Sequence, residues 1–143
     1  MEDNSFVRWQ QITIGQLGYA LNLVLGLCTA SLGFAISLLT GKDFAFTSSW
    51  GEGCYLIAVL TFLVSIGLGI WCTINRLLDF RTTSRIARLK QKNGSEEELV
   101  SLRTKATFHG SITWKLFWWH LATFAFAVIS FVASILLIYR QKL

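Results

Sequence analysis

The sequence predicts an all-α integral membrane protein with three transmembrane helices, the second and third extended into a cytoplasmic helical hairpin. Three observations carry that expectation. Hydrophobic residues make up 53% of the 143-residue chain and charged residues only 15%, against about 25% charge in a typical soluble domain. A soluble fold of this composition would expose large apolar patches, and burial in lipid removes that problem. The apolar residues fall in three long runs, each long enough to cross a hydrocarbon core roughly 30 Å thick. Between the second and third runs, residues 75–92 hold Arg76, Arg81, Arg85, Arg88, Lys90 and Lys92 against the single acid Asp79, a surplus equal to the +5 net charge of the whole chain. The length suits one domain, 1–143. Proline is absent, so no helix carries a proline kink.

Residues 1–16 alternate Phe6, Trp9, Ile12 and Ile14 with Arg8, Gln10, Gln11 and Gln16. This reads as an interfacial N-terminal helix with Asn4 or Ser5 as N-cap and Trp9 at headgroup depth. Glu2 and Asp3 stand where a signal peptide would be basic, which argues against one. The first span, 17–39, reaches about 34 Å at helical rise. Its one strongly polar residue is Asn22, a candidate pore or interface group. Gly26, Ala30, Gly33 and Ser37 recur every three or four residues, a small-residue face that lets another helix approach closely.

Residues 40–53 read as a short loop on the lipid interface, with Lys42 as its only base and Phe44, Phe46 and Trp50 as its aromatics. The second span, 54–74, is free of charge and contains a further small pair, Ser65 and Gly69. Residues 77–92 contain no helix breaker, so the second helix is expected to continue into water. A turn follows at 93–95, where Gly94 suits a left-handed position. Ser95-Glu96-Glu97-Glu98 has the spacing of a capping box, and its acids suit the positive end of a new helix. That third helix is expected to run through 96–115 into the last span, 116–138. The two solvent arms measure about 27 and 30 Å at helical rise, and their match predicts an antiparallel hairpin over 75–115. Gly110 is the weak point, costing about 1 kcal/mol relative to Ala.

Residues 76–115 hold nine of the thirteen Lys and Arg: Arg76, Arg81, Arg85, Arg88, Lys90, Lys92, Arg103, Lys105 and Lys115. The positive-inside tendency therefore puts the hairpin and the N-terminus in the cytoplasm and the C-terminus outside. Arg140 and Lys142 oppose this mildly. Trp9, Trp71, Trp114, Trp118 and Trp119 all fall near the expected cytoplasmic interface, and Trp50 on the other side.

Four features bear on chemistry. Arg81, Arg85, Arg88 and Lys92 follow i, i+4, i+7, i+11 and share one helix face, a candidate site for an anionic ligand or partner: a nucleotide, an oligonucleotide, lipid headgroups or an acidic protein. Arginine outnumbers lysine there, and guanidinium forks take phosphate bidentately. The alternative is that these bases only hold the segment inside. Beside them Leu78, Thr82, Ile86 and Leu89 form an apolar line for the second arm. Asp79 is expected to pair with Arg76, three residues back, as a boundary ion pair or gate. His109 and His120 stand eleven residues apart, close to three full turns, on a stripe with Leu99, Leu102, Ala106, Thr113 and Leu116. They read as hydrogen-bonded interface histidines, with proton sensing as the sharper alternative. Aromatics that stack bases are missing from the stripe, Phe80 being nearest, so sequence-specific nucleic-acid reading is not expected.

No enzyme is expected, because the chain contains no G-x-S-x-G, P-loop or H-E-x-x-H and no acid pair with a pocket. No cofactor is implied. Cys28, Cys54 and Cys72 form no C-x-x-C and lie at no ligand spacing from a histidine, so no metal site is expected either.

The layout of the whole chain resembles the small transmembrane effectors of bacterial antiviral systems: a few spans, a short chain, a basic helical cytoplasmic part and no enzyme motif. The resemblance implies an inner-membrane protein that opens the membrane, in some cases in answer to a nucleotide signal. The chain departs from the pattern in having three spans where several such effectors have two or four, and it carries no diagnostic motif. The expected function is an oligomeric channel or pore, gated by the basic hairpin on binding an anionic ligand or acidic partner. A non-conducting membrane adaptor and a holin-like lysis protein are the alternatives.

Overall fold

In the computed structural model the described residues form three α-helices: α1 (Asp3–Thr40), α2 (Ser49–Gln91) and α3 (Glu96–Arg140). The structure describes residues 3–41, 49–91 and 95–140, with side chains for 12, 13, 15–41, 49–91 and 95–138. No strand occurs among the described residues. All three helices are long and apolar enough to cross a membrane, as a multi-pass membrane protein requires. α2 has 43 residues and α3 has 45. At 1.5 Å per residue they are about 64 and 68 Å long, roughly twice the apolar thickness of a bilayer.

Two expected boundaries change. Asn4 and Ser5 do not cap a helix, because α1 already starts at Asp3 and runs unbroken into the first span. The side chains of Asn4, Ser5 and Trp9 lie outside the described residues. α2 starts at Ser49, so residues 49–53, expected in the loop, form its first turn. Ser49-Trp50-Gly51-Glu52 has the S-x-x-E spacing that closes a helix start, and Glu52 lies at the positive end of the helix. Lys42, Phe44 and Phe46 of the expected loop, Lys92 of the expected basic stripe, and Asn93 and Gly94 of the expected turn lie outside the described residues. Ser95 does directly precede α3, and its carbonyl accepts the Leu99 N–H at 3.3 Å, as an N-cap carbonyl does.

The chain divides into two compact units, Met1–Ile66 with Thr123–Leu143 and Gly67–Ala122. In the first, the buried positions of α2 are Gly51, Tyr55, Ala58, Phe62 and Ser65, and those of α3 are Ala127, Phe131, Ser134 and Ile138. Both sets alternate steps of four and three, the 3.5-residue repeat of supercoiled helices. Tyr55 meets Phe131 with ring centroids 5.9 Å apart, and Phe62 meets Phe124 at 6.3 Å. Seven residues up α2 match seven residues down α3, so the pair is antiparallel. A Cβ at Gly51 would stand 3.4 Å from Ile138 Cγ1, at the near limit of ordinary contact, so the C-terminal part of α3 packs closely on α2 there.

α1 joins this unit through Leu21, Val24, Cys28 and Ala35. Tyr55 OH donates to the Ala35 carbonyl, and Cys28 Sγ lies 3.4 Å from Ser65 Oγ. These contacts decide which face of α1 turns inward, since polar groups in an apolar medium must find partners. The small-residue face is not the one used. Gly26, Ala30, Gly33 and Ser37 are all exposed, and a Cβ at Gly26 or Gly33 would meet nothing within 4 Å. The second small pair behaves as expected: Ser65 and Gly69 are buried.

In the second unit α2 buries Gly69, Cys72 and Asn75 and half-buries Asp79, Thr82, Ile86 and Leu89. On α3 the facing stripe is Leu99, Leu102, Ala106, His109, Thr113, Leu116 and His120, half-buried or buried throughout, as the sequence predicts. Cys72 Sγ donates to the Thr113 carbonyl at 3.4 Å, and Asn75 contacts His109, so this pair too is antiparallel. Leu78 departs from its expected place in the apolar line. It is 40% exposed, and Asp79 takes the seam position, because the alternation of threes and fours from Asn75 falls on 79 rather than 78.

Most of the spanning surface is not covered by the chain itself: only 11%, 28% and 22% of the three apolar windows are buried. Lipid or further copies must cover the rest. The hydroxyls of Thr29, Thr61 and Thr73 donate to carbonyls four residues back in their own helices, which keeps them compatible with an apolar surrounding.

Candidate anion-binding site on α2

The site lies wholly within the second unit. An unbroken helix places residues four and three apart on one face, and α2 continues without interruption through 75–91. Arg81, Arg85 and Arg88 are exposed and together line an open groove of about 600 Å³, with Phe80, Ser84 and His109 among the other walls. The three expected arginines are thus brought together, and α3 adds an imidazole to them. Lys92, the fourth expected base, lies outside the described residues. Guanidinium groups at this spacing offer paired donors over about 10 Å of helix.

Arg76 is half-buried, and its guanidinium carbon lies 5.6 Å from the centre of the Phe80 ring, within cation–π range. Asp79 is half-buried on the seam. Burial pushes its carboxyl above the usual carboxylate range, and the nearby charge of His109 works in the opposite direction. The imidazole that bears on Asp79 is therefore His109. His120 stands eleven residues further along α3, about 16 Å away at helical rise, and is fully buried. Asn22, on α1, is exposed beside the buried Leu21.

Asn75 is the residue beside the site that sequence reasoning passed over, as a mere end of the second span. It is 7% exposed. Its amide nitrogen lies 3.5 Å from the Trp71 carbonyl, which turns its Oδ1 toward His109 Nδ1 at 3.4 Å. Both bonds are long, yet their directions agree. The Thr113 hydroxyl donates to the His109 carbonyl at 2.9 Å and its carbonyl accepts from Cys72. A polar layer thus crosses the helix pair directly below the arginine groove. The available signal was the 3-then-4 spacing 72–75–79, which puts a polar residue on a packing seam.

A second groove, of about 470 Å³, is lined by Trp114, Lys115, Trp118, Trp119 and Ala122 on α3. Indoles grouped with one lysine suit the headgroup level of a bilayer. Among the described residues no three His, Cys, Asp or Glu side chains are grouped to hold a metal ion.

In comparisons with protein-family models, curated proteins and solved structures, no family model, no curated protein and no solved structure matches the chain.

Proposed function

We propose that this chain is an inner-membrane protein whose arginine face binds a phosphate-bearing polyanion from the cytoplasm and thereby changes the state of its spanning helices, acting as an oligomeric channel. The observation that supports this most is the groove itself. Arg81, Arg85 and Arg88 line one cavity on the same unbroken helix whose other half is a candidate span. Three like charges on one face repel their counterparts on a neighbouring copy. A polyanion bridging them relieves that repulsion and holds one arrangement of the arms. Its loss lets them separate, and the continuous helices carry the movement into the membrane. Association of copies is favoured by the uncovered small-residue face of α1, Gly26, Ala30, Gly33 and Ser37.

A second reading, a non-conducting adaptor whose basic arm docks a partner, draws on a different observation. Tyr55, Phe62, Phe124 and Phe131 fill the first unit with mutually contacting rings, so conduction has to run between copies rather than through one. Planar-bilayer conductance of the purified protein, with and without a short oligonucleotide on the side of the arm, tests the two. Ligand-dependent current supports the channel, and silence under every condition favours the adaptor.

A further inference from the structure

Resting on the reading of the arginine face as an anion site, we infer that His109 is its proton-sensitive wall, so that the face holds phosphate-bearing ligands more tightly as the pH falls. Three observations lead there. His109 is the one titratable residue of α3 among the groove's walls. Asn75 Oδ1 lies 3.4 Å from His109 Nδ1, and because an amide oxygen can only accept, the contact suits the tautomer that carries its proton on Nδ1. The proton taken up on acidification therefore goes to Nε2, and the ring becomes a cation with Nδ1–H already committed. Histidine is also the side chain that changes charge between about pH 5 and 8, the range in which a phosphodiester keeps its full charge.

The groups that face this imidazole set the sign. From α2 the cations Arg81, Arg85 and Arg88 share the groove with it, and Asp79 lies near enough for the two charges to interact. On α3, Lys105 lies one turn away. An anion in the groove cancels the guanidinium charge and makes the imidazolium favourable. Ligand binding and proton binding thus reinforce each other, and the linkage is reciprocal.

The test uses the full chain in nanodiscs of zwitterionic lipid and a fluorescent oligothymidylate. Its association constant is expected to fall roughly tenfold from about pH 5.5 to about pH 8, the worth of one charge-assisted hydrogen bond. His109→Gln should bind at the weak, high-pH level throughout, and His109→Lys at the tight level throughout. An unchanged slope in His109→Gln overturns this inference and leaves the anion site standing. Absence of binding by the wild type at every pH overturns both.

Discussion

Neutralising the arginine face should remove the salt dependence of ligand binding in steps that can be counted. Arg81, Arg85 and Arg88 line one groove, and each phosphate neutralised on a single strand contributes about 0.7 to the slope of log K against log salt. Three contacts give a slope of about −2, which lowers affinity roughly twentyfold between 50 and 200 mM salt. Each single Arg→Gln change should make the slope shallower by about 0.7. The triple variant should bind weakly and almost independently of salt. Lys92 adds a further step of the same size if it contacts the ligand.

Anisotropy of a labelled oligothymidylate, titrated with the protein in zwitterionic nanodiscs, reads both affinity and slope. Anionic lipid must be left out because it would compete for the same cations. All three arginines are exposed, so their replacement should leave the helix pair folded, which far-UV circular dichroism checks. A triple variant that keeps a slope near −2 would refute the assignment, because the neutralised phosphates would then be contacting some other part of the chain.

Three more outcomes follow from the packing. Tyr55→Phe removes the bond to the Ala35 carbonyl while keeping the ring in place, and should lower stability against denaturing detergent by about 0.5–1.5 kcal/mol. Gly110→Ala should raise it by about 1 kcal/mol, since the added Cβ meets nothing within 4 Å; equal or lower stability would contradict the helical geometry there. Asp79 lies beyond the span expected at 54–74, and its carboxyl is raised by burial, so the folded state holds its proton more tightly than the unfolded one. Between the ordinary carboxylate range and the raised value, stability should therefore fall as pH rises. Asp79→Asn should be the more stable protein at neutral pH, with an advantage that shrinks on acidification; thermal unfolding across that range reads the sign.

The large features were legible because they depend on composition and period. Three apolar runs, the unbroken 77–91 segment and the Ser95 start of α3 all follow from local rules, and the His109 stripe follows from spacing alone. What was not legible depends on which of two acceptable faces wins. Gly26, Ala30, Gly33 and Ser37 make a good packing face, but Tyr55 and Ser65 find their polar partners on the face with Ala35 and Cys28. Leu78 is more apolar than Asp79 and was the natural seam residue. The phase of the repeat, carried through Cys72 and Asn75, overrides that preference and half-buries the acid. In the same way Asn75 reads locally as the end of a span, and only the antiparallel register of α2 and α3 brings it to His109.

The arm's position in water, on the cytoplasmic side, is the claim on which the rest depends, and cysteine accessibility tests it directly. In a background with Cys28, Cys54 and Cys72 replaced, Ser84→Cys on the groove wall should react with a membrane-impermeant maleimide. It should do so in inside-out vesicles and not in right-side-out ones. Val64→Cys, on the exposed apolar surface of the second span, should react in neither. Labelling of Ser84→Cys from the outside would invert the orientation, and protection from both sides would contradict the placement of the arm in water.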